Sequence, residues 1–133
     1  MGSKQWVGAI ELGYILDELL GVTAKVINVS SGLDLPAKAR EIALHFDSIG
    51  SPIMIGGGVL AYTLMGIDWC EPTGECAFLI LDPHFTGKDD LKAIHTGQWI
   101  AWKRVDGRAA AGGKLFHDNA FYNLLCPQRL TQV

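Results

Sequence analysis

The chain has 133 residues, 49% of them hydrophobic and 19% charged, which suits a single domain with a real core spanning residues 1–133. Its net charge is −3 and its 11 Lys and Arg are scattered, so nothing argues for nucleic acid as a partner. There is no apolar run long enough to span a membrane and no secretory leader pattern, and the three cysteines, Cys70, Cys76 and Cys126, lack zinc-ligand spacing, so a reducing, cytoplasmic setting is expected.

Ile10, Tyr14, Leu16, Leu19 and Leu20 recur near helical spacing, with Glu11, Asp17 and Glu18 turned to solvent and Gly21 as the stop. Residues 24–29 alternate and are β-branched, which predicts a strand, and Ser30-Ser31-Gly32 predicts a turn. A second helix follows, with Pro36 in its first turn and Ala39, Ile42, Ala43 and Phe46 on one face before Gly50. Residues 52–55 and 59–67 predict two strands with a bulge between or within them.

Glu71-Pro72-Thr73-Gly74 has turn chemistry and joins that region to a strand over 76–81 in an antiparallel hairpin. Residues 88–95 predict a short helix ending at Gly97, residues 99–102 a further strand, and the glycine- and alanine-rich 103–114 a surface loop. A late strand over 121–126 is expected to stop before Pro127. Helices first, then mostly antiparallel strands, make the fold class α+β.

The strand Phe78-Leu79-Ile80-Leu81 ends in Asp82-Pro83-His84. A carboxylate and an imidazole two positions apart at a strand tip are half of a catalytic triad: the imidazole takes a proton from a nucleophile, and the carboxylate fixes its tautomer. Pro83 removes a ladder donor and biases Asp82 toward extended backbone, so the strand stops where the polar side chains begin. On these residues alone, a turn cap followed by a loop histidine is the favoured account, since short motifs of this kind recur by chance. The three successive glycines Gly56, Gly57 and Gly58 lack the Gly-Lys-Ser or Gly-Lys-Thr of a phosphate loop, which favours a bulge or a close approach of another backbone. No histidine pair has metal-ligand spacing, so neither a metal nor another cofactor is expected, and His45 and His95 are expected at the surface or capping a helix. In the hairpin, Cys70 and Cys76 stand at the end opposite Asp82, about 20 Å away. Cys126 lies in an apolar run and is expected to be a buried thiol.

Four blocks, taken together, carry a family resemblance. They are Gly2-Ser3-Lys4-Gln5-Trp6-Val7-Gly8 with Glu11, Ile55-Gly56-Gly57-Gly58-Val59-Leu60-Ala61, Leu79-Ile80-Leu81-Asp82-Pro83-His84-Phe85-Thr86-Gly87, and Asn119-Ala120-Phe121-Tyr122-Asn123-Leu124-Leu125-Cys126-Pro127-Gln128-Arg129. In this order, over nearly the whole chain, they resemble the papain-like cysteine proteases specific for the ubiquitin-fold modifier. The resemblance implies a papain-like fold, Asp82 as the orienting acid and His84 as general base and then general acid. It implies hydrolysis after the C-terminal glycine of the modifier, maturing its precursor or releasing it from conjugated proteins. Gly56, Gly57 and Gly58 would then help to form the narrow channel for the glycine-ended tail.

The family's nucleophilic cysteine lies in a Gly-Trp-Gly-Cys-like box at a helix start, upstream of the Trp-x-Gly segment with which this chain begins. The expectation is therefore an incomplete papain-like domain, inactive by itself because no nucleophile faces His84. A non-catalytic modifier-binding module, or a scaffold domain with a vestigial Asp-Pro-His, is the alternative.

Overall fold

The computed structural model describes residues 8–31, 34–57, 60–73, 75–83, 86–104 and 121–130. Helix α1 (Ala9–Leu20) ends at Gly21, whose φ of +64° is the left-handed conformation that glycine adopts without steric cost, and whose amide donates to the Asp17 carbonyl. Its packing face is not the one the large apolar residues suggest. Ala9, Leu12, Gly13 and Leu16 turn toward the sheet, while Ile10, Tyr14, Leu19 and Leu20 stay exposed. Small Ala9 and Gly13 allow close approach: a Cβ on Gly13 would stand 3.2 Å from Leu125 Cδ1.

Strand β1 (Val22–Val29) follows, then a 3-10 turn over Pro36–Lys38 that leads into α2 (Ala39–Ser48). Pro36 at the first position of that turn has no amide to waste. Helix α2 buries Ala39, Ile42 and His45. Burial of His45 departs from the surface or capping role expected for it. It is three residues beyond Ile42 and therefore falls on the buried stripe, and its Nε2 lies 2.9 Å from the Ser51 carbonyl and 3.0 Å from Ser51 Oγ. Ser51 Oγ in turn donates to the Pro127 carbonyl at 2.5 Å. A polar side chain is tolerated there because it is bonded.

Strands β2 (Ile53–Gly57), β3 (Leu60–Cys70) and β4 (Glu75–Leu81) form an antiparallel meander, extended by β5 (Ile100–Arg104) after the short helix α3 (Leu91–Thr96). Asp90 caps α3, accepting from the Lys92 and Ala93 amides, so the helix starts three residues later than the sequence pattern suggests. The bulge lies in β3, where the pairing steps from Leu64 with Ile80 to Gly66 with Leu79 and leaves Met65 as the extra residue. Strand β6 (Tyr122–Leu130) then enters between β1 and β2, giving the order β1-β6-β2-β3-β4-β5. All pairings are antiparallel.

Contrary to the expected stop before it, Pro127 lies inside β6. It pairs with Ala24 of β1, beyond the reach of the β2 pairing, which runs only from Met54 with Leu125 to Gly56 with Asn123. A missing amide costs little where one flank has no ladder to complete. The expected loop over 103–114 begins with Lys103 and Arg104 inside β5, and its remainder lies outside the described residues.

One sheet face packs on α2 and forms the core. Ile27, Val29, Ile53, Ile55, Leu64, Cys76, Phe78, Ile80, Tyr122, Leu124 and Cys126 meet Leu35, Ala39 and Ile42 there. Each strand presents every second residue to this face, as in the alternating burial of β4. The opposite face carries α1 over β1 and β6.

Candidate active site

The register places the end of β4, the start of β3, the end of β2 and the start of β6 at one end of the sheet. Leu81 pairs with Thr63, Ile55 with Tyr62 and Leu124, and Gly56 with Ala61 and Asn123. Asp82 stands one step past Leu81. Its amide donates to the Trp99 carbonyl at 2.7 Å, prolonging the β4–β5 ladder by one residue, and exposed Pro83 then ends it. The backbone from which the Asp82 side chain springs is thereby fixed, and the residue is half-buried. His84, the base expected beside it from the sequence, lies outside the described residues.

By alternation from Ile80, Asp82 belongs to the face that packs on α2, and Tyr62 belongs to it by alternation from Leu64. Asp82 acts on Tyr62. Burial raises the Tyr62 phenol pKa above its ordinary value, and the Asp82 carboxylate raises it further. Sequence reading passed over Tyr62, although the alternation Tyr62, Leu64 was available to place it.

Gly56 and Gly57 close β2, and Gly58 lies outside the described residues. A Cβ on Gly57 would collide with the Phe121 carbonyl oxygen and come within 2.5 Å of Tyr122 Cδ1. The close approach of another backbone is thus what Gly57 serves within the fold. Gly56 alternates to the opposite face, level with Asn123, whose Oδ1 is shut off from solvent without a hydrogen-bond partner among the described residues. Phe121, at the rim beside them, is 51% exposed.

None of the cysteines is near Asp82. Cys70 is exposed at the far hairpin end, where it pairs with Glu75, and Cys76 is six residues back along β4, about 20 Å away. Cys126 lies three strands across and two residues along, about 16 Å by strand spacing. Its thiol is pushed up to about 11 by burial, with Lys25 lowering and Glu41 raising it to lesser degrees. A thiol held so strongly in its protonated form is a poor nucleophile. Among the described residues no group of three His, Cys, Asp or Glu could hold a metal ion.

Comparison with known proteins agrees with this architecture. The sequence model of "Peptidase family C78" matches residues 1–125. A "Probable Ufm1-specific protease" of Oryza sativa subsp. japonica is 58% identical over all of this chain, which covers 20% of that protein. "Ufm1-specific protease 2" of Danio rerio is 50% identical over 97% of the chain and 30% of that protein, and that of Homo sapiens 46% identical over 100% and 27%. The chain thus spans about a fifth to a third of the length of these relatives. The solved "Crystal structure of UfSP from C.elegans" superposes with a TM-score of 0.84 at 41% identity, covering 96% of this chain and 23% of that one. The six-stranded antiparallel sheet with its helices is therefore the α+β, papain-like arrangement anticipated from the sequence. With a family match over 1–125 and relatives at this identity, the chain belongs to peptidase family C78.

Proposed function

We propose that this chain carries the acid–base half of a thiol-dependent protease that processes the precursor of the ubiquitin-fold modifier and releases the modifier from its conjugates. Asp82 orients His84 and stabilises the imidazolium. His84 takes the proton of a cysteine thiol, then gives it to the leaving amine, and afterwards activates the water that hydrolyses the thioester. The observation that carries this reading is Asp82 itself: a half-buried carboxylate on a backbone pinned by Trp99, followed by Pro83 and His84, in a chain of family C78. The names of the relatives support the choice of substrate.

Gly56, Gly57 and Gly58 border the approach of the extended tail. Gly57 has β6 against one side. The nucleophile is none of Cys70, Cys76 and Cys126, given their distances and burial. The 133 residues alone are therefore expected to bind the modifier without cleaving it. Three cysteines outside any disulfide favour the cytoplasm as the compartment.

The test joins the chain to the nucleophile-bearing segment of a family relative and measures cleavage of the modifier precursor. Cleavage is expected, with a fall of about 10³-fold or more in His84→Ala. Full activity of that variant would remove His84 from the mechanism. The second reading is a non-catalytic module that only binds the modifier. It predicts micromolar or tighter binding by calorimetry together with no cleavage even when the segment is supplied.

A further inference from the structure

We propose that a cleft at the open edge of β3 is a docking site for a protein segment that presents an arginine among apolar residues. The pairing of β2 with β3 stops at Ile53 with Leu64, so from Met65 to Cys70 that side of β3 has no strand against it among the described residues. The end of α2 stands beside this edge, and a cleft of about 690 Å³ opens between them. Phe46 and Asp47 of α2, Met65, Asp68 and Trp69 of β3, and Trp102 of β5 line it. The Trp102 indole reaches under the bulge, where a Cβ on Gly66 would stand 3.9 Å from its Cη2. Asp82 is not part of this cleft, so docking here goes beyond the acid–base reading.

The lining is aromatic and negative. Asp47 and Asp68 are exposed, and neither carboxylate has a hydrogen bond or an ion pair among the described residues. Asp47 also lies in the last turn of α2, where the carbonyl end of the helix adds partial negative charge. Arg40 does not neutralise the pair, because Glu71 is its counter-ion. Its guanidinium lies 5.9 Å from the centre of the Trp69 ring, so the chain itself already sets an arginine against an indole and a carboxylate at this edge. A guanidinium is weakly hydrated, stacks on an indole and meets a carboxylate with two parallel N–H bonds, which suits it to such a lining better than an ammonium or a neutral side chain. Apolar neighbours of that arginine would cover Met65 and Trp102, which are 39% and 55% exposed.

The experiment titrates the 133-residue chain with the peptide acetyl-Leu-Arg-Leu-amide, with acetyl-Leu-Gln-Leu-amide as the neutral control. Binding is followed by NMR at the Trp69 and Trp102 indole N–H signals and the Met65 methyl. The arginine peptide should give saturable shifts at all three, with a Kd of about 1 mM or lower, and should bind about 10-fold more tightly than the control. Asp47→Asn combined with Asp68→Asn should remove most of that preference, and so should about 0.5 M salt. Equal affinity for the two peptides, or a preference unchanged in the double variant, overturns the proposal. Shifts that leave Met65, Trp69 and Trp102 unmoved overturn it as well. If the double variant does not fold, the salt dependence of the unmodified chain decides, and a preference for arginine that salt leaves undiminished counts against the site.

Discussion

The two faces of the sheet are built from similar residues and treated differently. On the α2 side, Phe78, Ile80, Ile53, Ile55 and Leu124 are at most 3% exposed. On the other side, α1 covers β1 and β6, while Trp102 of β5 is 55% exposed, Met65 is 39% exposed, and Leu79 and Leu81 are half-buried. Apolar composition alone therefore does not say where stability resides. It resides on the side where a helix closes the layer, and the acidic end of β4 belongs by alternation to that same side. Asp82 is thus mounted on the sealed side of the sheet.

Four measurements test this contrast, in order of expected effect. Phe78→Ala empties the centre of the sealed layer and should lower the unfolding free energy in urea by about 3–5 kcal/mol. A loss below about 1 kcal/mol would show that α2 does not close the layer.

The second uses Cys126, on the same layer. Its folded pKa, about 11, lies above the ordinary thiol value of 9.0. Between those values the folded chain keeps a proton that the unfolded chain gives up. Stability should therefore fall as pH rises from about 9 to 11, by about 2–3 kcal/mol at the limit. Cys126→Ala should remove this part of the alkaline loss, and an identical alkaline profile in that variant would contradict the assignment.

Gly57→Ala comes third. Its new methyl meets the Phe121 carbonyl and the Tyr122 ring, so β2 and β6 must separate, at a cost of about 1–3 kcal/mol. A neutral result would mean that the two strands do not approach as closely as described. Trp102→Ser on the open face is the smallest, within about 0.5 kcal/mol. A larger loss there would place part of the core on the wrong side.

Local signals made β4 and its polar tip readable: an alternating apolar run and a proline that ends it. The same holds for the stop of α1 at Gly21 and for the β3–β4 hairpin, where the partners adjoin in sequence. What escaped was non-local. Nothing near Pro127 tells that its strand lies between β1 and β2, since the pairing of Lys25 with Cys126 joins distant parts of the chain. Burial of His45 escaped because residue type outweighed position, although Ile42 three residues earlier marked the stripe. In α1 the large residues misled, because the surface that met the sheet was the one small enough to approach it. The site divides in the same way: Asp82 was legible from its own strand, and the nearness of Tyr62 to it only from the register between β3 and β4.

The place of β6 also has a temporal consequence. Until residues 122–130 have left the ribosome, α1 and β1 have no strand to bind them to the β2–β5 meander, because both ladders that join the halves run through β6. Closure of the sheet must wait for contacts of long sequence separation, which places the molecule among slow-folding topologies. During synthesis the growing chain carries two open strand edges, those of β1 and β2, that β6 comes to cover.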